Sequence, residues 1–198
     1  RTSIEGLESL PYATGGIAVE LHTPEFAIPT LWWRSGGNSH TAFAAESFVD
    51  ELAHAAGADP LAFRLAHLAR YPRHARALRR AAEMAGWGQP LRRGRARGLA
   101  VWETFGTVVA EAVEVSRHPD GGPWVRHVAC AVDCGLAVNP DVIVAQVEGG
   151  VGYGLCAALR GEVRLDDGRV RASNFHDYPP LRMAEMPQVE VASLPSDA

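Results

Sequence analysis

The sequence predicts an α+β fold, a mixed sheet with packed helices, on three observations. Helical periodicity dominates residues 38 to 85, strand-like runs dominate 98 to 133, and a capped apolar helix with a glycine-lined face follows at 139 to 159. Helices and strands are grouped along the chain, so a doubly wound α/β pattern is not expected. With 198 residues and 47% hydrophobic content, the chain can bury a substantial core. The composition shifts after Gly86, where Gly88, Pro90, Gly94 and Gly98 interrupt a basic stretch. This places an internal boundary near 87, between a strand-plus-three-helix segment over 1–87 and a β-rich segment over 88–198.

In chain order, IAVEL (17 to 21) and FAIPTL (26 to 31) read as one or two strands between proline and glycine breaks. The turn from Trp32 to His40 leads into a helix with Asn38 or Ser39 as N-cap. On that helix Ala45, Phe48, Val49, Leu52 and Ala56 form one apolar face, with Glu46, Asp50 and His54 off it, and Gly57 ends it. Asp59 and Pro60 start a second helix that buries Leu61, Leu65 and Leu68, and a third amphipathic segment runs from about 74 to 85. Strands are expected at 98 to 104, 107 to 116 and 124 to 133, the last two joined by the turn HPDGG at 118 to 122. EVRL (162 to 165) and VRAS (170 to 173) flank a further hairpin turn at Asp166 to Arg169. Residues 174 to 187 are proline-interrupted and read as a loop anchored by His176, Asp177 and Tyr178. QVEVASL (188 to 194) alternates like a half-buried strand.

A net charge of −4 argues against general affinity for nucleic acid. The charge is uneven: every basic residue is arginine, and roughly half of them fall between Arg64 and Arg97. That segment reads as a solvated helix face plus a basic loop, with docking of an acidic partner or a cofactor phosphate as the alternative. No uninterrupted apolar stretch of about 18 residues occurs, so no membrane span is expected. Neither end resembles a signal peptide and the first residue is Arg1, so the chain reads as a piece of a longer one, cytoplasmic or periplasmic according to a signal outside it. Cys130, Cys134 and Cys156 lack metal-site spacing and read as small buried hydrophobes, so no metal ligands are assigned. Motifs of serine hydrolases, P-loop NTPases and dinucleotide-binding dehydrogenases are missing.

The glycine-faced helix organises the rest. Asn139 suits the N-cap, Pro140 the first helical position, and Asp141 the first turn, where the macrodipole favours negative charge. Gly149, Gly150, Gly152 and Gly154 then each cost about 0.8–1 kcal/mol against alanine in a helix interior. At helical spacing Gln146, Gly149, Gly150, Tyr153 and Gly154 share a face, setting an amide beside bare backbone. Either another element packs closely there, or a flat ligand lies on the glycines while Gln146 hydrogen-bonds it. Spacing alone leaves both readings open.

The strings DCGLAVNP (133 to 140) and QVEGGVGYGLCAAL (146 to 159) resemble the cofactor-binding part of the molybdenum hydroxylases, the xanthine dehydrogenase and aldehyde oxidase family. WWRSGGNSHTAFAAESFVDELA (32 to 53), DPLAFRLAHL (59 to 68) and SNFHDYPPLRMAEMPQVEV (173 to 191) agree in collinear order, and together they look most like the branch of the isoquinoline 1-oxidoreductase beta subunit. The resemblance implies part of a molybdenum cofactor-binding domain. It implies molybdopterin with Mo, as the cytosine dinucleotide, in the full-length protein, a small [2Fe-2S] partner subunit, and an aldehyde or N-heterocycle oxidised with water as oxygen source. Carried onto this sequence, it assigns cofactor binding to Arg34, Gly36, Gly37, Gln146, Gly149 and Gly150. Ser35, Asn38 and His40 depart from the xanthine-type pattern, in which an aromatic residue follows the arginine, so purine specificity is not implied. The family's catalytic glutamate sits in a glycine-rich motif downstream of the stretch matching QVEVASLPSD, and no such motif occurs here. No catalytic residue is therefore assigned, and the chain alone is expected to be inactive. The alternative from another class is a non-catalytic module that captures an acidic partner through the arginine-rich segment.

Overall fold

A computed structural model describes residues 2–25, 28, 31 and 33–197. Three helices come first: α1 (Asn38–Ala55), α2 (Pro60–His67) and α3 (Pro72–Met84). Strands β1 (Arg95–Thr104), β2 (Thr107–Arg117) and β3 (Pro123–Asp133) follow, then helix α4 (Pro140–Arg160), the short pair β4 (Leu165–Asp166) and β5 (Arg169–Val170), and finally β6 (Gln188–Ser193). The main sheet has the order β1-β2-β3-β6. Its first three strands are antiparallel, whereas β6 pairs parallel to β3, with Val128 opposite Val189 and Val132 opposite Ser193. A parallel pairing needs a long crossover, and the segment containing α4 supplies it. The expected α+β architecture with a mixed, open sheet is the one observed.

Side-chain alternation gives the sheet two different faces. Ala110, Ala112, Ala129 and Ala131 point to one side, all with no exposed surface, and such small side chains let α3 approach closely through Ala77, Leu78 and Ala81. On the other side Val113, Val115, Val128 and Val189 receive Val147, Val151 and Leu155 of α4. The hairpins follow the sequence signals. His118 to Gly122 closes β2 on β3, Asp167 and Gly168 turn between β4 and β5 at positive φ, and Phe105 and Gly106 do the same between β1 and β2.

Several expectations are corrected. IAVEL forms no strand: Ile17 and Leu21 are exposed, and no strand among the described residues pairs with them. The FAIPTL run, apart from Ile28 and Leu31, lies outside the described residues, as does Trp32. Helix α1 is preceded by Gly37 without a side-chain cap, because Asn38 Oδ1 instead accepts a 2.8 Å hydrogen bond from Trp102 Nε1. Its buried face is Thr41, Glu46, Val49 and Ala53, while Phe48 and Leu52 are exposed. On α2, Arg64 is buried and Leu61 and Leu65 only half-buried, and Leu68 is buried just past its end. Of the cysteines only Cys130 is buried; Cys134 and Cys156 are partly accessible. By length and composition alone α4 could cross a membrane, but its Val147, Val151 and Leu155 pack on the sheet.

The rotation of α1 follows from a buried charge network. Glu46 accepts hydrogen bonds from Tyr12 OH at 2.6 Å, Arg64 Nε at 3.0 Å and the Val101 N–H at 3.1 Å. Arg64, wholly buried, also donates to Asp50 Oδ1 at 2.6 Å and to the Glu46 carbonyl at 3.0 Å. Burial pushes the Glu46 carboxyl above its usual range despite the arginine, and the Tyr12 hydroxyl is raised by burial as well. Hydrophobic period therefore misplaces this helix, because a paired carboxylate sits on its buried face.

Part of the arginine-rich segment pairs with carboxylates of the same chain, while Arg70, Arg79, Arg92 and Arg93 are exposed. Arg73 and Arg76 reach Asp133 at 3.0 and 2.6 Å, Arg95 and Arg97 pair with Glu114, and Arg80 pairs with Glu83. Asp133 is fully buried and also accepts from Ser196 Oγ at 2.6 Å and the Gly135 N–H at 3.3 Å. Burial acts to raise its pKa, but the hydrogen bonds from Arg73, Ser196 and Arg76 outweigh it and hold the carboxyl well below its ordinary value.

Arg64→Ala is expected to cost about 3–5 kcal/mol by urea unfolding, since it strands a buried carboxylate; a loss below about 1 kcal/mol would show the pair to be solvent-screened. Asp133 stabilises the fold above the ordinary aspartate pKa, and that contribution is lost as pH falls from there through its depressed folded value. Acid unfolding of Asp133→Asn should lack this component, read as a flatter stability–pH curve below about pH 4.

Candidate functional site

Helix α4 begins as its sequence dictates. Asn139 Oδ1 accepts from the N–H groups of Asp141 and Val142 at 3.1 and 3.3 Å, and Pro140 occupies the first turn. Only Val151 of this helix is buried. An alanine methyl placed at Gly149, Gly150 or Gly154 would meet nothing within 4 Å, whereas at Gly152 it would come within 3.2 Å of Met186 Sδ. The glycines thus divide: Gly152 serves packing, and the other three leave open backbone.

Arg34, from the turn before α1, comes to this face. Its Nη2 lies 3.4 Å from Gln146 Oε1, a long contact, and its guanidinium carbon stands 5.6 Å from the centre of the Tyr153 ring. Trp33 packs on the same ring, centroid to centroid 5.0 Å. Beside them opens a cleft of about 790 Å³ bordered by Trp33, Arg34, Phe43, Phe105, Gly150 and Tyr153. A second opening of about 380 Å³ lies between α4 and the sheet, with Gln146 and Gly150 on its helical wall. Aromatic walls, an amide and a guanidinium suit a planar ligand with polar edges and a negatively charged substituent.

Of the residues assigned from sequence, the structure brings together Arg34, Gln146 and Gly150, with Gly149 next to them on the exposed helix. Gly36 and Gly37 are placed differently. The Gly37 N–H donates to Glu5 Oε2 at 2.8 Å, and a methyl on Gly36, which has φ +60°, would stand 2.6 Å from that same oxygen. The backbone donor in this turn is satisfied by the chain's own carboxylate. Glu148 is exposed on α4. Asp177 stays a loop anchor, accepting from Ser173 and Asn174, whose N–H groups hold its pKa at about 2.

Sequence reasoning missed two residues. Phe105 is 86% exposed at φ +51° and borders the larger cleft; the Phe-Gly pair between two alternating runs was a signal for that turn. Glu111 lines the smaller opening. Its signal was a carboxylate in phase with Val109 and Val113 on one strand face.

Gly149→Ala is expected to raise stability by about 0.8–1 kcal/mol in chemical denaturation, because the methyl meets no obstacle. A loss instead would mean that the glycine face is closed in solution.

A family model described as the molybdopterin cofactor-binding domain matches residues 44–187. The chain is 39% identical over 183 residues to the beta subunit of isoquinoline 1-oxidoreductase from Brevundimonas diminuta, covering 90% of this chain and 23% of that one. It is 31% identical over 215 residues to a subunit of nicotinate dehydrogenase from Pseudomonas putida, covering 98% and 17%. Against a membrane-bound aldehyde dehydrogenase (pyrroloquinoline-quinone) of Gluconacetobacter polyoxogenes it is 29% identical over 213 residues, covering 93% and 27%. The chain spans between 17% and 27% of the length of these curated relatives. Since the matched region runs from α1 through the whole of α4, the chain belongs to the molybdopterin cofactor-binding family of the molybdenum hydroxylases.

Proposed function

We propose that the chain forms part of the molybdopterin-binding large subunit of a molybdenum hydroxylase that oxidises an aldehyde or N-heterocycle with oxygen from water. The observation that carries this reading is the open backbone at Gly149, Gly150 and Gly154 beside exposed Gln146, with Arg34 reaching Gln146 from across the fold. The residues suit the cofactor: bare backbone accepts a flat ring system, the Gln146 amide can both donate and accept at its edge, and Arg34 offers a fork of donors to a phosphate. When bound, the cofactor supplies the redox chemistry.

The chain's own share is binding and exclusion. Gln146 orients the pterin, and Arg34 neutralises the phosphate side, in keeping with a cytosine dinucleotide form. Trp33, Phe43, Phe105 and Tyr153 border the adjoining cleft and give it an apolar wall. The relatives named for isoquinoline, nicotinate and an aldehyde support an N-heterocycle or aldehyde as substrate class, and two of them are named as subunits, which supports a partner such as a small [2Fe-2S] protein. For docking of an acidic partner the arginine-rich segment offers the exposed Arg70, Arg79, Arg92 and Arg93, since Arg64, Arg73, Arg76, Arg80, Arg95 and Arg97 pair with carboxylates of the same chain.

Gln146→Ala and Gly150→Leu in the complete large subunit are each expected to lower molybdenum and pterin content by roughly tenfold or more at unchanged melting temperature, the cost of one lost polar contact or one obstructed face. Full cofactor content in both would sink the reading. The 198-residue chain alone should turn over neither aldehydes nor N-heterocycles.

A further inference from the structure

The opening between α4 and the sheet holds one acidic side chain, and the cofactor reading above gives it no role. Glu111 on β2 stands opposite Cys130 on β3, in phase with Val109 and Val113, on the face that looks toward α4. Among the described residues, no arginine, lysine or histidine lines this opening. Its cross-strand neighbour Cys130 lines the same opening, and a thiol is only a weak donor. The rest of the wall is mostly aliphatic, apart from Thr107, Cys134, Gln146 and Gly150. A carboxyl in such surroundings is an odd occupant unless something enters to pair with it.

Burial pushes the Glu111 carboxyl above its ordinary range, favouring the neutral acid. A neutral carboxylic acid presents one donor and one acceptor side by side, the same pair that a primary amide presents. The helical and sheet walls of a roughly 380 Å³ opening therefore each carry a two-point hydrogen-bonding group, Gln146 on one and Glu111 on the other. The complementary ligand is planar and uncharged at that edge, with an N–H donor adjacent to a carbonyl or ring-nitrogen acceptor.

We propose that Glu111 is a second polar contact for the cofactor, reading the amino-amide edge of its pterin from the sheet wall while Gln146 holds it from α4. This rests on the proposed function, and the test separates the two. In the complete large subunit, Glu111→Leu replaces the carboxyl by an apolar group of similar size, and Glu111→Gln keeps a neutral donor–acceptor pair. Each is compared with wild type and Gln146→Ala for molybdenum by elemental analysis, released pterin by fluorescence, and melting temperature of the cofactor-free form.

The expected result is that cofactor-free Glu111→Leu melts no lower than wild type yet retains roughly 10- to 100-fold less pterin, while Glu111→Gln stays near wild type. Full retention by Glu111→Leu overturns the assignment, and if Gln146→Ala still loses the cofactor the proposed function stands without it. Full retention by both Glu111→Leu and Gln146→Ala overturns both. Loss in Glu111→Gln, with its fold intact, overturns the neutral-acid contact.

Discussion

The fold hangs on one buried carboxylate. Asp133 ends the central strand β3 and accepts hydrogen bonds from Arg73 and Arg76 on α3, Ser196 in the C-terminal segment, and the N–H of Gly135 at the exit toward α4. These groups come from parts of the chain up to 63 residues away. A carboxylate without exposed surface would be costly in isolation, and it is tolerated here because its oxygens are satisfied by charged and polar donors. The consequence is positional: the site where the chain leaves the sheet is pinned, so the start of α4 is pinned as well.

A second network sets the other half. Glu46, Arg64, Tyr12 and the Val101 N–H join α1, α2, the N-terminal segment and β1 around a single carboxyl. Holding Glu46 inward turns Phe48 and Leu52 outward, and Phe43, also exposed, borders the larger cleft. The same segment carries Arg34 ahead of α1. Packing against β1 through Asn38 and Trp102 brings that turn within reach of Gln146, 112 residues further along the chain than Arg34. Polar burial on the α3 side of the molecule thus assembles an open polar site beside α4.

Helix α4 is stabilised unusually for its length. Of its 21 residues only Val151 is buried, and three glycines expose backbone without compensating contacts within the described chain. The capped start at Asn139, the Val147, Val151 and Leu155 contacts with the sheet, and the Arg160–Glu185 pair near its end hold it. Each open glycine forgoes helix propensity for close approach by something flat. That trade is local evidence of use, since stability alone would favour alanine at all three.

What the residues by themselves determined were features decided by near neighbours in sequence: the three strands and the turn at 118 to 122, the Asp59 and Asn139 caps, the Asp-Gly hairpin and the shared face of Gln146 with its glycines. Backbone geometry and period suffice for those. Tertiary structure alone decided what depended on distant partners. IAVEL alternates like a strand but finds no neighbour to pair with, and Asn38 leaves its capping role for Trp102. Arg64 and Arg73 belong to a stretch that looks like a solvated patch, yet they find carboxylates 14 and 60 residues away. The Gly36–Gly37 turn is occupied by Glu5, and the opening that Glu111 and Gln146 both line exists only once β2 and α4 meet. Period reveals which side of an element a residue occupies; only the assembled chain reveals what waits on that side, because the charge that pairs with it arrives from another element.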